Sequence, residues 1–211
     1  MSYNLEELSQ ALQKGRVPAV KEQIQKALEA GVDPQEILQE GLLAGMGVIG
    51  EKFKQNKVYI PEVMLAARAM NTGLELLKPL LAGQAAQEKG TVVIGTVKGD
   101  RHDIGKNLCK MMLEGKGLKV IDLGVDVPAA KDLDAAQQHG AAVICCSALL
   151  TTTMGEMRTV VQLVQQSPLA GKVRVMVGGA PVSQAFCDEI GADRYTADAA
   201  TCAEVALSLC S

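Results

Sequence analysis

The chain has 211 residues, a net charge of −3 and a pI near 5.5, a balance that argues against a basic nucleic-acid surface, and its 2% aromatic content leaves no base-stacking platform. The polar start MSYNLEELSQ does not read as a secretory leader, and no apolar run approaches the roughly 20 residues that span a bilayer. Six cysteines form no CxxC pair, and the adjacent Cys145 and Cys146 sit in the apolar run AAVICCSALL, so they read as buried free thiols of a cytoplasmic protein.

The first 82 residues carry helical patterning. In NLEELSQALQKG, Asn4 is a candidate N-cap with Glu7 three residues on, as in a capping box, and Gly15 closes the segment. PAVKEQIQKALEAG places Val20, Ile24, Ala27 and Leu28 on one face and stops at Gly31. DPQEILQEGLLAGMGVIGEKF opens with Asp33 as cap, Pro34 at the first helical position and Glu36 as reciprocal acceptor. Gly41, Gly45, Gly47 and Gly50 lie inside it, each costing up to about 1 kcal/mol against alanine. Close helix packing and room for a bulky flat partner are both consistent with them. A fourth helix is expected from Pro61, with Pro79 kinking or ending it. Together these predict a four-helix bundle over residues 1–85.

AGQAAQEKG (82–90) reads as a polar linker. Beyond it the period changes. TVVIGTV (91–97) is the short apolar, β-branched run of a buried parallel strand. Helix IGKNLCKMMLEGKG and strand LKVIDLG follow, then helix AAKDLDAAQQHG and strand AAVICCSAL. Helix TMGEMRTVVQLVQQ precedes strand KVRVMVGG. Helix VSQAFCDEIG, a short strand DRYT and helix AATCAEVALSLC finish the pattern. Five strands alternating with helices predict a Rossmann-like, flavodoxin-like parallel sheet over 90–211. Ligands of such sheets bind at the carboxyl ends of the strands.

The loop after the first strand, GDRHDIGK, holds one of only two histidines. It is not a Walker phosphate loop: Gly99 and Gly105 are one residue too far apart, and Asn107 stands where Ser or Thr belongs. Asp100, His102 and Asp103 are too crowded to make a complete tetrahedral zinc set, and His139 lies in another connection. A lone histidine fits a metal whose other positions a cofactor already fills, with Asp100 oriented as its carboxylate partner. A plain surface histidine fits equally well on these residues alone.

GDRHDIGKNL resembles the DxHxxG loop of cobalamin-binding domains, as in cobalamin-dependent methionine synthase and the small corrinoid proteins of methyltransferase systems. VIDLGVDVP (120–128), SALLTTTMGEM (147–157) and VMVGGAPV (175–182) stand in the matching later loops, and GMGVIGEKFKQNKVYIPEVMLAARAM (45–70) resembles the helical cap preceding that domain. The resemblance covers roughly residues 1–200. It implies that His102 is the lower axial ligand of cobalt and displaces the corrinoid's own benzimidazole. It implies that Asp100 bonds to His102 and that Thr153, where the methionine-synthase relay has serine, extends the chain. Arg101, Asp103, Ile104 and Gly105 would complete the loop against the corrinoid. Ser147, Leu149 and Thr151 would line the channel for the nucleotide tail, with Gly178 and Gly179 admitting it. An ordinary strand-to-helix turn also accounts for that glycine pair. Phe53, Ile60 and Val63 would cover the upper, methyl-bearing face.

The function so implied is that of a methyl carrier whose cofactor is cobalamin or a related corrinoid, methylated as an intermediate. A substrate-specific methyltransferase would load it from methylamine, betaine, methanol or methoxy-aromatic donors. A second would pass the methyl group to a tetrahydrofolate-type pterin or coenzyme M, with a reductive activator as a further partner. No nucleic acid or membrane partner is expected, nor a complete enzymatic activity in the chain alone. Anaerobic one-carbon metabolism in the cytoplasm is the implied setting. Two alternatives stand beside it: the cobalamin subunit of an adenosylcobalamin mutase, and a cobalamin-based sensor. The attached cap argues against the first. The lack of room for a DNA-binding module argues against the second.

Overall fold

The structure is a computed structural model and describes residues 4–81 and 89–210; most of the expected linker, 82–88, lies outside them. The chain divides into a helical unit and a sheet unit, changing over between Glu88 and Lys89 apart from Gly115–Gly117, which group with the first.

In the helical unit α1 is Glu6–Gln13, α2 Val17–Glu29, α3 Pro34–Glu36, α4 Ala44–Lys54 and α5 Ile60–Leu81. Asn4 Oδ1 accepts from the Glu6 amide at 2.8 Å, but the cap position of α1 is Leu5, which makes no side-chain cap, so the expected capping box does not form; Gly15 takes the left-handed φ of +63° that ends α1. Asp33 accepts from the Gln35 amide at 2.7 Å. The third helix is not uniform: a π-helical stretch, Ile37–Leu43, joins α3 to α4. Its glycines separate into two kinds. A Cβ on Gly41 would lie 2.4 Å from Leu8 Cδ2, and one on Gly45 3.1 Å from the Ser9 carbonyl, so these two let α1 approach. A Cβ on Gly47 would meet nothing within 4 Å. Helix α5 starts one residue earlier than expected and runs two residues past Pro79. Val20, Ile24, Ala27, Ile37, Leu42 and Ile49 are buried in the core.

The sheet unit has β1 Thr91–Thr96, β2 Lys119–Asp122, β3 Val143–Ser147, β4 Arg174–Gly178 and β5 Arg194–Tyr195, with α6 Ile104–Gly115, α7 Ala129–His139, α8 Gly155–Gln165, α9 Gln184–Ile190 and α10 Ala199–Cys210 between and after them. All pairings are parallel and the order is β2-β1-β3-β4-β5. Val93, Ile144, Cys146, Val175 and Val177 pack with residues of α7, α8 and α9 on one face. On the other face the thiols of Cys109 in α6, Cys145 in β3 and Cys202 in α10 lie close together, with Cys145 and Cys202 buried. All six cysteines are free, and the adjacent Cys145 and Cys146 point to opposite faces because strand side chains alternate. Strand order reverses between β1 and β3, so the crevice of this topology lies where the loops after those two strands meet.

Candidate functional site

Those loops converge on Asp100, whose side chain is fully buried. The turn after β1 is set by Asp100 N–H donating to the Val97 carbonyl at 3.1 Å and by Gly99, at φ +80°. Gly99 N–H donates to Asp126 Oδ1 at 2.7 Å and Asp126 N–H to the Asp100 carbonyl at 2.9 Å, which ties the loops after β1 and β2 together.

The Asp100 carboxylate accepts five hydrogen bonds. Oδ1 takes the His102 amide at 3.1 Å and His102 Nδ1 at 2.7 Å. Oδ2 takes the amides of Leu149 at 2.7 Å and Leu150 at 3.1 Å, and the Thr153 hydroxyl at 3.1 Å. Burial pushes the carboxyl upward, but the bonds from Leu149, His102 and Leu150 outweigh it and hold Asp100 well below the usual carboxylate range. An ionised Asp100 can only accept, so Nδ1 of the imidazole carries the proton and the lone pair is on Nε2. The His102 side chain is 51% exposed. The site therefore presents one basic nitrogen outward, its tautomer fixed from behind.

Thr153 is buried, and its hydroxyl also lies 2.9 Å from the Leu150 carbonyl. A single hydroxyl proton serves one of these two acceptors at a time.

Of the expected residues, the structure brings together Asp100, His102, Leu149 and Thr153. Leu149 takes part through its amide, while its side chain is exposed, as are those of Leu150 and Ile104. Arg101, Asp103 and Thr151 are exposed in the same two loops, Gly105 is exposed in the first turn of α6, and Ser147 is half-buried at the end of β3. A Cβ on Gly105 would meet nothing within 4 Å. Gly179 is required by the fold itself, and Gly178 sits in a tight contact. A Cβ on Gly178 would lie 3.2 Å from the Thr196 carbonyl, and one on Gly179, at φ +133°, 1.9 Å from the Ala148 carbonyl. Lys106, at the end of the rejected phosphate-loop pattern, is buried and donates to Asp122 Oδ1 at 2.7 Å, so its ammonium is committed to the fold.

In the helical unit, Phe53 is half-buried and Ile60 39% exposed. Val63 is fully buried, on the same stripe of α5 as Ala66, Ala67, Met70 and Leu77. Helical periodicity turns position 63 inward while Ile60 and Met64 stay exposed. Sequence reasoning missed the Leu150 amide, the Asp126 bond to Gly99, and Thr96, whose hydroxyl donates to the His102 carbonyl at 2.8 Å.

No group of three or more His, Cys, Asp or Glu side chains able to hold a metal occurs among the described residues. A single outward nitrogen, with exposed Ile104 at the start of α6 and exposed Leu149 and Leu150 in the loop after β3, suits a metal whose other positions a large, partly apolar macrocycle already fills. The family models agree: two, each described as a B12 binding domain, match residues 4–78 and 90–206.

The chain belongs to the B12-binding corrinoid proteins.

Its cofactor is a corrinoid. This corrinoid protein is 45% identical over 172 residues to trimethylamine corrinoid protein 1 of Methanosarcina mazei, covering 81% of this chain and 80% of that one. It is 43% identical to dimethylamine corrinoid protein 3 of Methanosarcina acetivorans, covering 92% and 91%. Among solved structures it matches the methanol:cobalamin methyltransferase complex of Methanosarcina barkeri with a TM-score of 0.90 at 33% identity, covering 98% of this chain and 79% of that one. Among the described residues no helix is long and apolar enough to cross a membrane.

Proposed function

We propose that this corrinoid protein is a cytoplasmic methyl carrier, loaded by a substrate-specific methyltransferase and unloaded by a second one that passes the methyl group to a tetrahydrofolate-type pterin or coenzyme M. The observation that carries the reading is the buried, five-bonded Asp100 fixing His102 Nδ1 while Nε2 faces outward. Relatives named for trimethylamine and dimethylamine support a methylamine as donor before betaine, methanol or methoxylated aromatics. The likeness to a methanol:cobalamin methyltransferase complex supports a methyltransferase as the loading partner. The domain division proposed is a helical cap over 1–85 and a corrinoid-binding α/β domain over 90–211.

In this reading His102 would hold the corrinoid's cobalt through Nε2, with Asp100 and Thr153 behind it. The bound corrinoid would supply a cobalt centre able to accept and release a methyl group. The chain's own task is to present or withdraw one nitrogen. Asp100 is held by three donors from the loop after β3, so it stays in place whether or not Nε2 is engaged. Nδ1 keeps its 2.7 Å contact to Asp100 from behind, and the Thr153 hydroxyl can turn its proton between Asp100 and the Leu150 carbonyl.

The test is reconstitution with aquocobalamin and reduction to the cobalt(II) state, read by electron paramagnetic resonance in wild type and His102→Ala. The axial-nitrogen hyperfine pattern is expected in wild type and absent in the variant. Methyl transfer from a panel of donors, with candidate partner methyltransferases, then tests the carrier role. An axial nitrogen that survives in His102→Ala refutes the ligand assignment.

A further inference from the structure

We propose that Thr96 is a positioning residue for His102, acting through the main chain of the loop rather than through the imidazole. This rests on the reading of His102 as the axial ligand and adds a second anchor to it.

Thr96 is the last residue of β1, between β2 and β3 in the sheet, and is fully buried. Its main chain is committed: the amide donates to the Gly124 carbonyl at 3.0 Å and the carbonyl accepts from the Val127 amide at 3.0 Å. A β-branched side chain on so fixed a backbone has little χ1 freedom. Its hydroxyl donates to the His102 carbonyl at 2.8 Å. His102 is thereby held at three polar atoms: its amide and Nδ1 by Asp100, its carbonyl by Thr96.

The two anchors do different things. Asp100 fixes the ring's tautomer and its swing about the side chain. It accepts the His102 amide through the same oxygen, Oδ1, so it cannot by itself stop the peptide after His102 from turning. Residues 101–103 belong to no helix or strand, and the exposed imidazole has little packing to hold it. The Thr96 bond closes that remaining freedom just before α6 begins at Ile104. Valine would match the shape of Thr96 and the apolar character of TVVIGTV. The hydroxyl and its bond to the His102 carbonyl are therefore what a valine at this position would lack.

The test compares Thr96→Val, which keeps the shape and removes the donor, with Thr96→Ser, which keeps the donor. In the corrinoid-free protein, 15N chemical shifts of the His102 ring report its tautomer; with two histidines in the chain, His139→Gln completes the assignment. After reconstitution with aquocobalamin and reduction, the axial-nitrogen signal gives the ratio of histidine-on to histidine-off protein. Thr96→Val is expected to lower that ratio roughly three- to tenfold, the effect of one hydrogen bond, while the apo ring shifts stay those of the Nδ1–H tautomer that Asp100 fixes. Thr96→Ser is expected to restore the ratio. A Thr96→Val protein with the wild-type ratio overturns the proposal, and so does one whose ring changes tautomer, since Thr96 then acts through Asp100 and the imidazole. So does a loss that Thr96→Ser fails to repair, since the hydroxyl is then not the agent. If Thr96→Val does not fold, Thr96→Ala replaces it, and equal ratios in the Ala and Ser proteins overturn the idea. His102→Ala separates the failures: if it leaves the axial signal unchanged, the ligand reading falls; if it abolishes the signal while Thr96→Val leaves it intact, only the role of Thr96 falls.

Discussion

Replacing Asp100 by asparagine keeps the shape of the side chain but removes its charge and one acceptor. The outcome follows from the donors around it. On the Oδ2 side stand two amide N–H groups and a hydroxyl; on the Oδ1 side stand the His102 amide and Nδ1. An asparagine NH2 turned toward Leu149 and Leu150 would face two amide donors, so its carbonyl goes there and its NH2 faces His102. That orientation opposes the His102 amide and forces Nδ1 to accept. The ring then changes tautomer and carries its proton on Nε2, the atom offered to the metal. Two bonds to a charged acceptor are lost, each worth about 1.5–3 kcal/mol, partly offset because a charge is no longer buried. The expected net destabilisation is about 1–3 kcal/mol. Histidine ligation should fall by roughly 10–100-fold, the usual range for the carboxylate behind a metal-binding histidine. Urea titration of the corrinoid-free protein gives the first quantity. Ring 15N shifts with the cobalt(II) spectrum give the second. The destabilisation also has a pH signature. The native carboxyl is held below its ordinary value, so its contribution is complete above that value of 3.8 and is lost as acid drives the pH toward the depressed native value. The gap between Asp100→Asn and wild type should close in acid. An Asp100→Asn protein that keeps the Nδ1–H tautomer and wild-type ligation would refute the reasoning.

Thr153→Ala removes one of five donors to Asp100 and should cost about 1 kcal/mol by urea titration, with ligation weakened less than in Asp100→Asn. Asp132 is buried in α7, and burial pushes its carboxyl up to about 7. Its folded form holds a proton that the unfolded form releases above 3.8. Stability should therefore decline as pH rises from about 4 to about 7, by up to about 4 kcal/mol, and melting curves of Asp132→Asn should lose that slope. Gly179→Ala places a Cβ 1.9 Å from the Ala148 carbonyl at φ +133°. It should destabilise by about 3 kcal/mol or more and disturb the neighbouring Leu149 amide, so melting temperature and ligation should fall together.

Period-3.6 and period-2 patterns run along contiguous residues, so the four-helix region, the five strands and the change of character near 82–90 are readable from the chain alone. The same holds for His102 and Asp100, two residues apart in a turn set by Gly99: a carboxylate so close to a histidine can reach its ring without help from elsewhere. The partners that make Asp100 a fixed anion could not be read this way. The Leu149 and Leu150 amides lie about 50 residues along the chain and carry no side-chain signature, since every residue except proline has that N–H. Sheet order alone brings them there, by placing β3 beside β1. Thr96 was hidden for a related reason: in a β-branched apolar run a threonine looks like a valine until the atom opposite its hydroxyl is known. Gly179 admits no side chain because of the Ala148 backbone, a contact between the ends of β3 and β4. Val63 and Ile60 share a helix and an apolar character, and only the phase of α5 against its neighbours buries one and exposes the other. Local patterning depends on neighbours in sequence, whereas the ionisation of Asp100, the tautomer of His102 and the direction of its free nitrogen depend on neighbours in space.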